Sequence, residues 1–290
     1  MDLQDFEYYR EILQKRSGLV VGPDKTYLLD SRLTPVAKKW GYSDIIEMTK
    51  DLRNKEDEKL IVDIVEAMTT NETSFFRDMK PFQIMENIVL PSMLEKRASR
   101  KSLRIWCAAC SSGQEPYSLA MMFKELGPKF AGWNIEIIGT DISHQILDQA
   151  RKGVFTQFEV QRGLPVNYLM KYMSKQEEKW QIKEDLRNMI SFKFLNLLEP
   201  IRGLGTFDIV FCRNVLIYFN EDTKRKVLES IAGTIADDGY LFLGGAETVL
   251  GITDKFKLEE GQRGLYVKNK AASQTSSAEN RSVGNASGRV

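Results

Sequence analysis

The sequence predicts an α/β protein: a domain built on a parallel sheet, carrying a small antiparallel insertion and preceded by an all-helical N-terminal domain. Three observations carry this. Leu103–Ala120, LRIWCAACSSGQEPYSLA, reads as strand, tight turn and helix. Beyond it, short apolar runs alternate with helical periodicity to about residue 268, the pattern of successive βα units. Before it, residues 1–70 show helical spacings only.

In chain order, Phe6, Tyr9 and Leu13, then Leu28, Leu33, Val36 and Trp40, fall near helical spacing. So do Ile45, Met48 and Leu52, and then Leu60, Ile61, Ile64, Val65 and Met68, with Gly18, Gly22-Pro23 and Gly41 as breaks. Residues 1–70 therefore predict a four-helix domain. Lys25, Arg32, Lys38 and Lys39 place positive charge on its second helix although the segment as a whole is acidic. They read either as a solvated face or as a docking surface for an acidic partner. Residues 71–98 form a linker and connecting helix. Phe75 and Phe76 are expected to pack between the domains. The Arg77 guanidinium, close to Asn71 and Thr73, can hold a carboxylate by paired hydrogen bonds. The helix is predicted from about Pro81 to Arg97, with Ile84, Ile88, Leu90 and Leu94 inward.

In the strand–turn–helix unit, Leu103, Ile105, Trp106 and Ala108 form the strand, and the chain breaks through Cys110–Gly113. Pro116 suits a first helical turn because the N–H it lacks has no partner there. Such a unit presents a ligand to a helix N-terminus over the carboxyl edge of a sheet. The turn has the single glycine Gly113, so the dinucleotide fingerprint is absent, as is a phosphate loop. Glu115 would repel phosphate and suits ribose hydroxyls, an amino group or a positive charge. S-adenosylmethionine has all three. The next strand, Ile135–Gly139, ends in Thr140-Asp141, where an acid accepts hydrogen bonds from ribose hydroxyls or caps a helix over Ile142–Ala150, with Ser143 competing for the cap. His144, the only histidine, is expected at the surface.

Residues 153–190 break the alternation and predict the antiparallel insertion. Strands Ile190–Leu195, ending in Asn196-Leu197-Leu198, and Phe207–Cys212, running into Arg213-Asn214, follow. A helix over Glu221–Ile235, a turn at Asp237-Asp238-Gly239 and strands Tyr240–Gly244 and Gly264–Lys268 complete a domain over residues 99–270. Residues 271–290, rich in Ser, Ala, Asn and Gly, are expected to be disordered.

Composition narrows the function classes. With 42% hydrophobic and 28% charged residues, the 290-residue chain is an ordinary globular protein with room for two domains. A net charge of +1 argues against nucleic acid or anionic lipid as the main partner. No apolar run approaches the roughly 20 residues of a membrane span, and MDLQDFEYYR lacks a signal-peptide core, so a cytoplasmic protein is expected. Cys107-x-x-Cys110, with only Cys212 and His144 besides, falls short of a convincing zinc set, so structural thiols and no metal are expected.

TTNETSFFRD, IWCAACSSGQEPYSLAM, GTDIS, FLNLL and FCRNVLIYF together resemble the successive motifs of the CheR-type chemotaxis receptor methyltransferases, a resemblance spanning residues 5–268. It implies a Rossmann-like, seven-stranded class I methyltransferase domain with a small β insertion behind an all-helical domain. It also implies methyl transfer from S-adenosylmethionine to glutamates on the cytoplasmic helical bundles of chemoreceptors, with S-adenosylhomocysteine as product. By the same resemblance Arg77 and Tyr218 orient the reacting carboxylate. Asn71, Thr73, Arg77, Glu115, Asp141, Asn196, Leu197, Arg213 and Asn214 would line the cofactor site, Glu115 towards the methionine or ribose region and Asp141 towards the ribose. The basic second helix would meet the receptor, and a monomer is the simplest expectation. The insertion segment KYMSKQEEKWQIKED is short, charged and free of glycine, which places the chain with members that do not need a receptor's C-terminal pentapeptide. A nucleic-acid methyltransferase would share the fold, but the chain has neither an Asn-Pro-Pro-Tyr-like motif nor a basic surplus. A non-catalytic module could lose the cofactor residues, which are all present.

Overall fold

Asp2, Asp44 and Asp57 start three of the four N-terminal helices by accepting hydrogen bonds from backbone N–H groups of the first turn. The computed structural model describes residues 1–270; the expectation for the 271–290 tail lies outside the described residues. α1 (Leu3–Ser17), α2 (Thr26–Lys39), α3 (Ile45–Asn54) and α4 (Glu58–Met68) enclose Phe6, Tyr9, Leu13, Leu33, Met48, Leu52 and Ile64. On α2 it is Leu29, not Leu28, that is fully buried. Lys25 lies in the 3-10 turn before α2 rather than on it.

The connecting helix is not continuous. α5 (Lys80–Ile84) and α6 (Leu90–Lys96) are joined by a wide π turn over Met85–Val89, where Leu90 N donates to Met85 O. Pro91 explains it, because a proline ring clashes with the carbonyl four residues back and the wider turn relieves the clash. The inward face is shifted accordingly: Met85, Val89 and Met93 are buried, whereas Ile88 and Leu94 are only partly so.

The second domain runs β1 (Ser102–Ala108), α7 (Gln114–Glu125), β2 (Asn134–Asp141), α8 (His144–Lys152), then β3 (Val154–Thr156), α9 (Gln157–Gln161), α10 (Val166–Tyr172), β4 (Met173–Gln176) and β5 (Lys179–Ile182). It continues through α11 (Glu184–Arg187), β6 (Ile190–Phe194), β7 (Phe207–Cys212), α12 (Glu221–Thr234), β8 (Ile235–Leu243), β9 (Phe256–Leu258) and β10 (Leu265–Lys268). Seven strands lie in the order β6-β2-β1-β7-β8-β10-β9, with β10 antiparallel to both neighbours. β1 alternates Leu103, Ile105 and Cys107 into the core under α5–α7, and Trp106 and Ala108 into the core under α12. From β1 the chain moves outward to β2 and β6, then crosses back to β7 on β1's other side. That reversal opens a crevice at the carboxyl ends of β1 and β7.

The insertion contains the expected antiparallel sheet, β3-β5-β4, and three short helices that apolar periodicity did not reveal. A capping box between Thr156 and Glu159 starts α9, and that spacing was legible. Phe75 and Phe76 pack here rather than between the domains. The Phe75 ring stands edge-on 5.0 Å from Phe155, and Phe76 meets Phe82 and Tyr168. Gly163, with φ +84°, approaches Phe75 so closely that a Cβ would lie 2.0 Å from its carbonyl oxygen.

β8 begins at Ile235, earlier than expected, because the Asp-Asp-Gly segment is a bulge inside the strand: Phe207 pairs with Ile235 but Ile209 with Tyr240. The bulge aims Asp238 at Arg97, whose other partner is the buried Asp208. Arg97 holds the Asp238 carboxyl down to about 2. A depressed carboxylate stabilises the fold above its unfolded pKa of about 4 and loses that contribution as pH falls through about 2. Asp238 is partly solvated, so the contribution is about 1 kcal/mol. Denaturant titrations from pH 7 downward are expected to show Asp238→Asn less stable by that amount at neutral pH and converging on the parent in acid.

Candidate active site

The β1–α7 turn is built from left-handed residues. Ala109, Ser111 and Gly113 have φ of 55°, 51° and 94°, and at Gly113 a Cβ would lie 3.2 Å from each of Ala150, Phe192 and Tyr117. This conformation turns Ser111 N towards Asp141 Oδ2 at 2.9 Å, while Ser143 N donates to Asp141 Oδ1 at 3.1 Å. Ser143 itself caps α8. Asp141 is thus a fixed, buried carboxylate at the end of β2, and burial pushes its carboxyl above the usual range against the pull of those N–H groups. Each of its oxygens keeps a lone pair for a further donor.

Glu115 sits in the first turn of α7 with Oε2 2.6 Å from Arg213 Nη1. Burial raises its carboxyl and Arg213 opposes the rise. Arg213 leaves β7 with its side chain buried and donates through Nη2 to Arg77 O at 3.0 Å and Asp78 Oδ2 at 2.8 Å. It therefore ties the first turn of α7 to the turn carrying Arg77, where Phe76, Asp78 and Met79 all have positive φ. Arg77 spends one N–H on Glu72 O at 2.9 Å.

These groups surround one cleft of about 1000 Å³, counting the space open to solvent. Asn71, Thr73, Arg77, Glu115 and Asp141 line it, as do Asn196, Leu197, Arg213, Asn214 and Tyr218. The helical domain contributes Ser17 and Leu19 to the wall. It is held there by Asn196 Nδ2 donating to Arg16 O at 2.7 Å, Val20 N to Tyr218 O at 3.0 Å and His144 N to Glu66 Oε1 at 2.6 Å. The exposed His144 ring stacks on Phe194 outside the cleft. Cys110 reaches the wall, but all three thiols are buried and burial raises each of them, which suits packing rather than chemistry.

None of the four basic residues considered for partner docking lines the cleft. Lys25 and Lys38 are exposed, Lys39 pairs with Asp63 at 2.7 Å, and Arg32 turns inward to donate to Met68 O and Thr69 O at the end of α4. Sequence reasoning missed Ser111, whose backbone fixes Asp141 and whose hydroxyl donates to Asn71 O. It also missed the buried Glu247, for which the preceding Gly244-Gly245 pair was the available signal.

The fit to S-adenosylmethionine shows in two buried polar atoms without partners, Asn214 Oδ1 and Arg213 Nε. Together with the Asp141 and Glu115 carboxylates they match a ligand bearing hydroxyls, an amino group and a carboxylate.

Residues 4–69 match the model of the CheR methyltransferase all-alpha domain, and residues 71–265 match that of the CheR methyltransferase SAM-binding domain. The chain belongs to the CheR methyltransferase family. It is 39% identical to chemotaxis protein methyltransferase 1 of Pseudomonas aeruginosa, over 92% of this chain and 98% of that one. It is 38% identical to chemotaxis protein methyltransferase 1 of Vibrio cholerae, over 91% and 96%. A relative from Borreliella burgdorferi, a chemotaxis protein methyltransferase, is 35% identical over 83% and 87%. Most of the residues lining the cleft fall within the matched SAM-binding domain.

Proposed function

We propose that the chain transfers the methyl group of S-adenosylmethionine to glutamate side chains on the cytoplasmic helical bundles of chemoreceptors, giving methyl esters and S-adenosylhomocysteine. The observation that carries this is the pairing of the Arg77 turn with the Glu115 end of α7 through Arg213 in a cleft without histidine. A glutamate carboxylate, with pKa about 4.3, is already ionised at neutral pH and needs no general base. Its demand is alignment.

When bound, S-adenosylmethionine supplies an electrophilic methyl on a positively charged sulfur. Glu115 would place negative charge near that group, and Asp141 would accept from the ribose hydroxyls. Arg77, with four of its five donors uncommitted in the structure, and the Tyr218 hydroxyl hold the incoming carboxylate. A carboxylate oxygen takes the methyl, and the broken C–S bond leaves its electron pair on sulfur.

Lys25, Lys38 and Lys39 would meet the acidic receptor surface, while Arg32 is committed to its own helix end. In the insertion, β4 and β5 are joined by the two-residue turn Glu177-Glu178, which supports methylation that does not need a receptor's C-terminal pentapeptide. The protein would work as a cytoplasmic monomer.

The test is transfer of labelled methyl to receptor fragments with and without that pentapeptide, read as base-labile ester. Equal rates on both are expected, and no ester on either overturns the substrate. Calorimetry with S-adenosylhomocysteine is expected to show Asp141→Ala weakened about 100-fold, since two hydrogen bonds to a charged acceptor together contribute about 3 kcal/mol or more.

A further inference from the structure

We propose that Glu247, a residue outside the cleft, is a positioning residue for methyl transfer: its buried carboxylate fixes the loop that carries Arg213, Asn214 and Tyr218. The proposal rests on the transfer reaction above and identifies what holds its substrate-facing wall in place.

After β8 the chain turns at Gly244, and Glu247 reaches back beneath the end of β7. Oε2 accepts from Gly244 N at 2.6 Å and Asn214 N at 2.8 Å. Oε1 accepts from Val215 N at 2.9 Å and Leu216 N at 2.8 Å. Three consecutive amides of one loop therefore converge on one carboxylate, whose residue is 9% exposed. Such convergence requires an unusual backbone, and Asn214 has φ of 59°, a left-handed conformation that asparagine tolerates better than other residues with a side chain. The crowding at Gly244, where a Cβ would lie 2.6 Å from Glu247 Oε2 and 3.0 Å from Asn214 N, shows how closely the two segments approach.

The loop's direction has consequences on both sides of the anchor. Before it, Arg213 holds Glu115 and the Arg77 turn. After it, the 3-10 turn Leu216–Tyr218 delivers Tyr218 into the cleft and its carbonyl to Val20 of the helical domain. Asp141 and Ser111 are fixed by separate hydrogen bonds on β2 and the β1–α7 turn. Loss of the Glu247 carboxylate should therefore disturb Arg213 and Tyr218 more than the nucleoside end of the site.

Glutamine is the informative substitution. It keeps the volume, but whichever way its amide points, an NH2 group faces two backbone donors. In Glu247→Gln, kcat on receptor fragments is expected to fall about 100-fold, the scale for a reacting group displaced by roughly 1 Å. S-adenosylhomocysteine affinity should fall far less than kcat, by about tenfold at most, because only the Arg213–Asn214 end is disturbed and Asp141 keeps its separate hydrogen bonds. Hydrogen exchange supplies a readout independent of turnover: the amides of residues 214–216 are expected to be protected in wild type and to exchange much faster in the variant. Glu247→Asp, which keeps the charge on a shorter arm, should recover part of both and serves if the glutamine variant does not fold. A folded variant with wild-type kcat, or with protection at 214–216 unaltered, overturns the proposal. If wild type methylates no receptor fragment, the substrate assignment fails, and hydrogen exchange alone decides the role of Glu247.

Discussion

Replacing Arg77 by alanine is expected to lower kcat for methyl transfer by about 10²–10³-fold, the range for loss of one preorganised charged donor, in protein that remains folded. The turn that carries Arg77 is shaped from several directions: Phe76 N donates to Ser118 Oγ at 2.9 Å, Arg213 donates to the Arg77 carbonyl, and the Phe75 ring is locked against Phe155. None of these contacts uses the Arg77 guanidinium, so truncation should leave the turn in place and remove the proposed carboxylate-binding group together with one hydrogen bond to Glu72 O. Arg77→Lys is expected to restore little, because an ammonium cannot hold both carboxylate oxygens in the fixed plane of a guanidinium. Initial rates under saturating S-adenosylmethionine separate this from a binding defect. A kcat within tenfold of wild type in Arg77→Ala would remove Arg77 from the reaction.

The largest effect on stability is expected at Asp208, on β7 far from the cleft. Its carboxylate is 2% exposed and accepts from Arg97 Nε at 2.7 Å, from Arg100 Nη2, and from the backbone N–H of Arg104 at 2.9 Å. Alanine there would leave the buried Arg97 with Asp238 alone and strand the Arg104 amide at the start of β1. Breaking a buried ion pair by removing one partner costs about 3–5 kcal/mol, which for a chain of this size lowers the melting temperature by roughly 10 °C. Calorimetry of Asp208→Ala and Asp208→Asn checks it, the asparagine recovering the amide acceptor but not the charge. A melting temperature unchanged in both would show that Arg97 and Arg100 find water at no cost.

What was legible in the sequence follows the range of the forces involved. The β1–α7 unit could be read because an apolar run, a small-residue turn and Pro116 are consecutive, and Asp141 because the next strand ends on it. The five motifs in order pointed to the family and to residues that share one cleft. The π turn before Pro91 was not anticipated, since apolar spacing alone suggested an unbroken helix. The early start of β8 depends on Arg97 drawing in Asp238 from 141 residues away in the chain. Arg32 looked like surface charge because its partners, the last carbonyls of α4, are defined only by the packing of two helices. Glu247 carries no periodic signature at all: its partners are backbone amides of a loop about 30 residues earlier.

The hydrogen bonds from Val20 to Tyr218 and from Asn196 to Arg16 also bear on how such enzymes could be given new targets. The helical domain looks like an exchangeable adaptor, yet Ser17 and Leu19 form part of the cleft wall. A chimaera that borrows another member's helices must therefore keep the stretch from Arg16 to Val20 from the recipient, or it trades a new address for a leaking reaction chamber. Substitutions on the exposed face of α2, where Lys38 lies, would leave that inner seam alone.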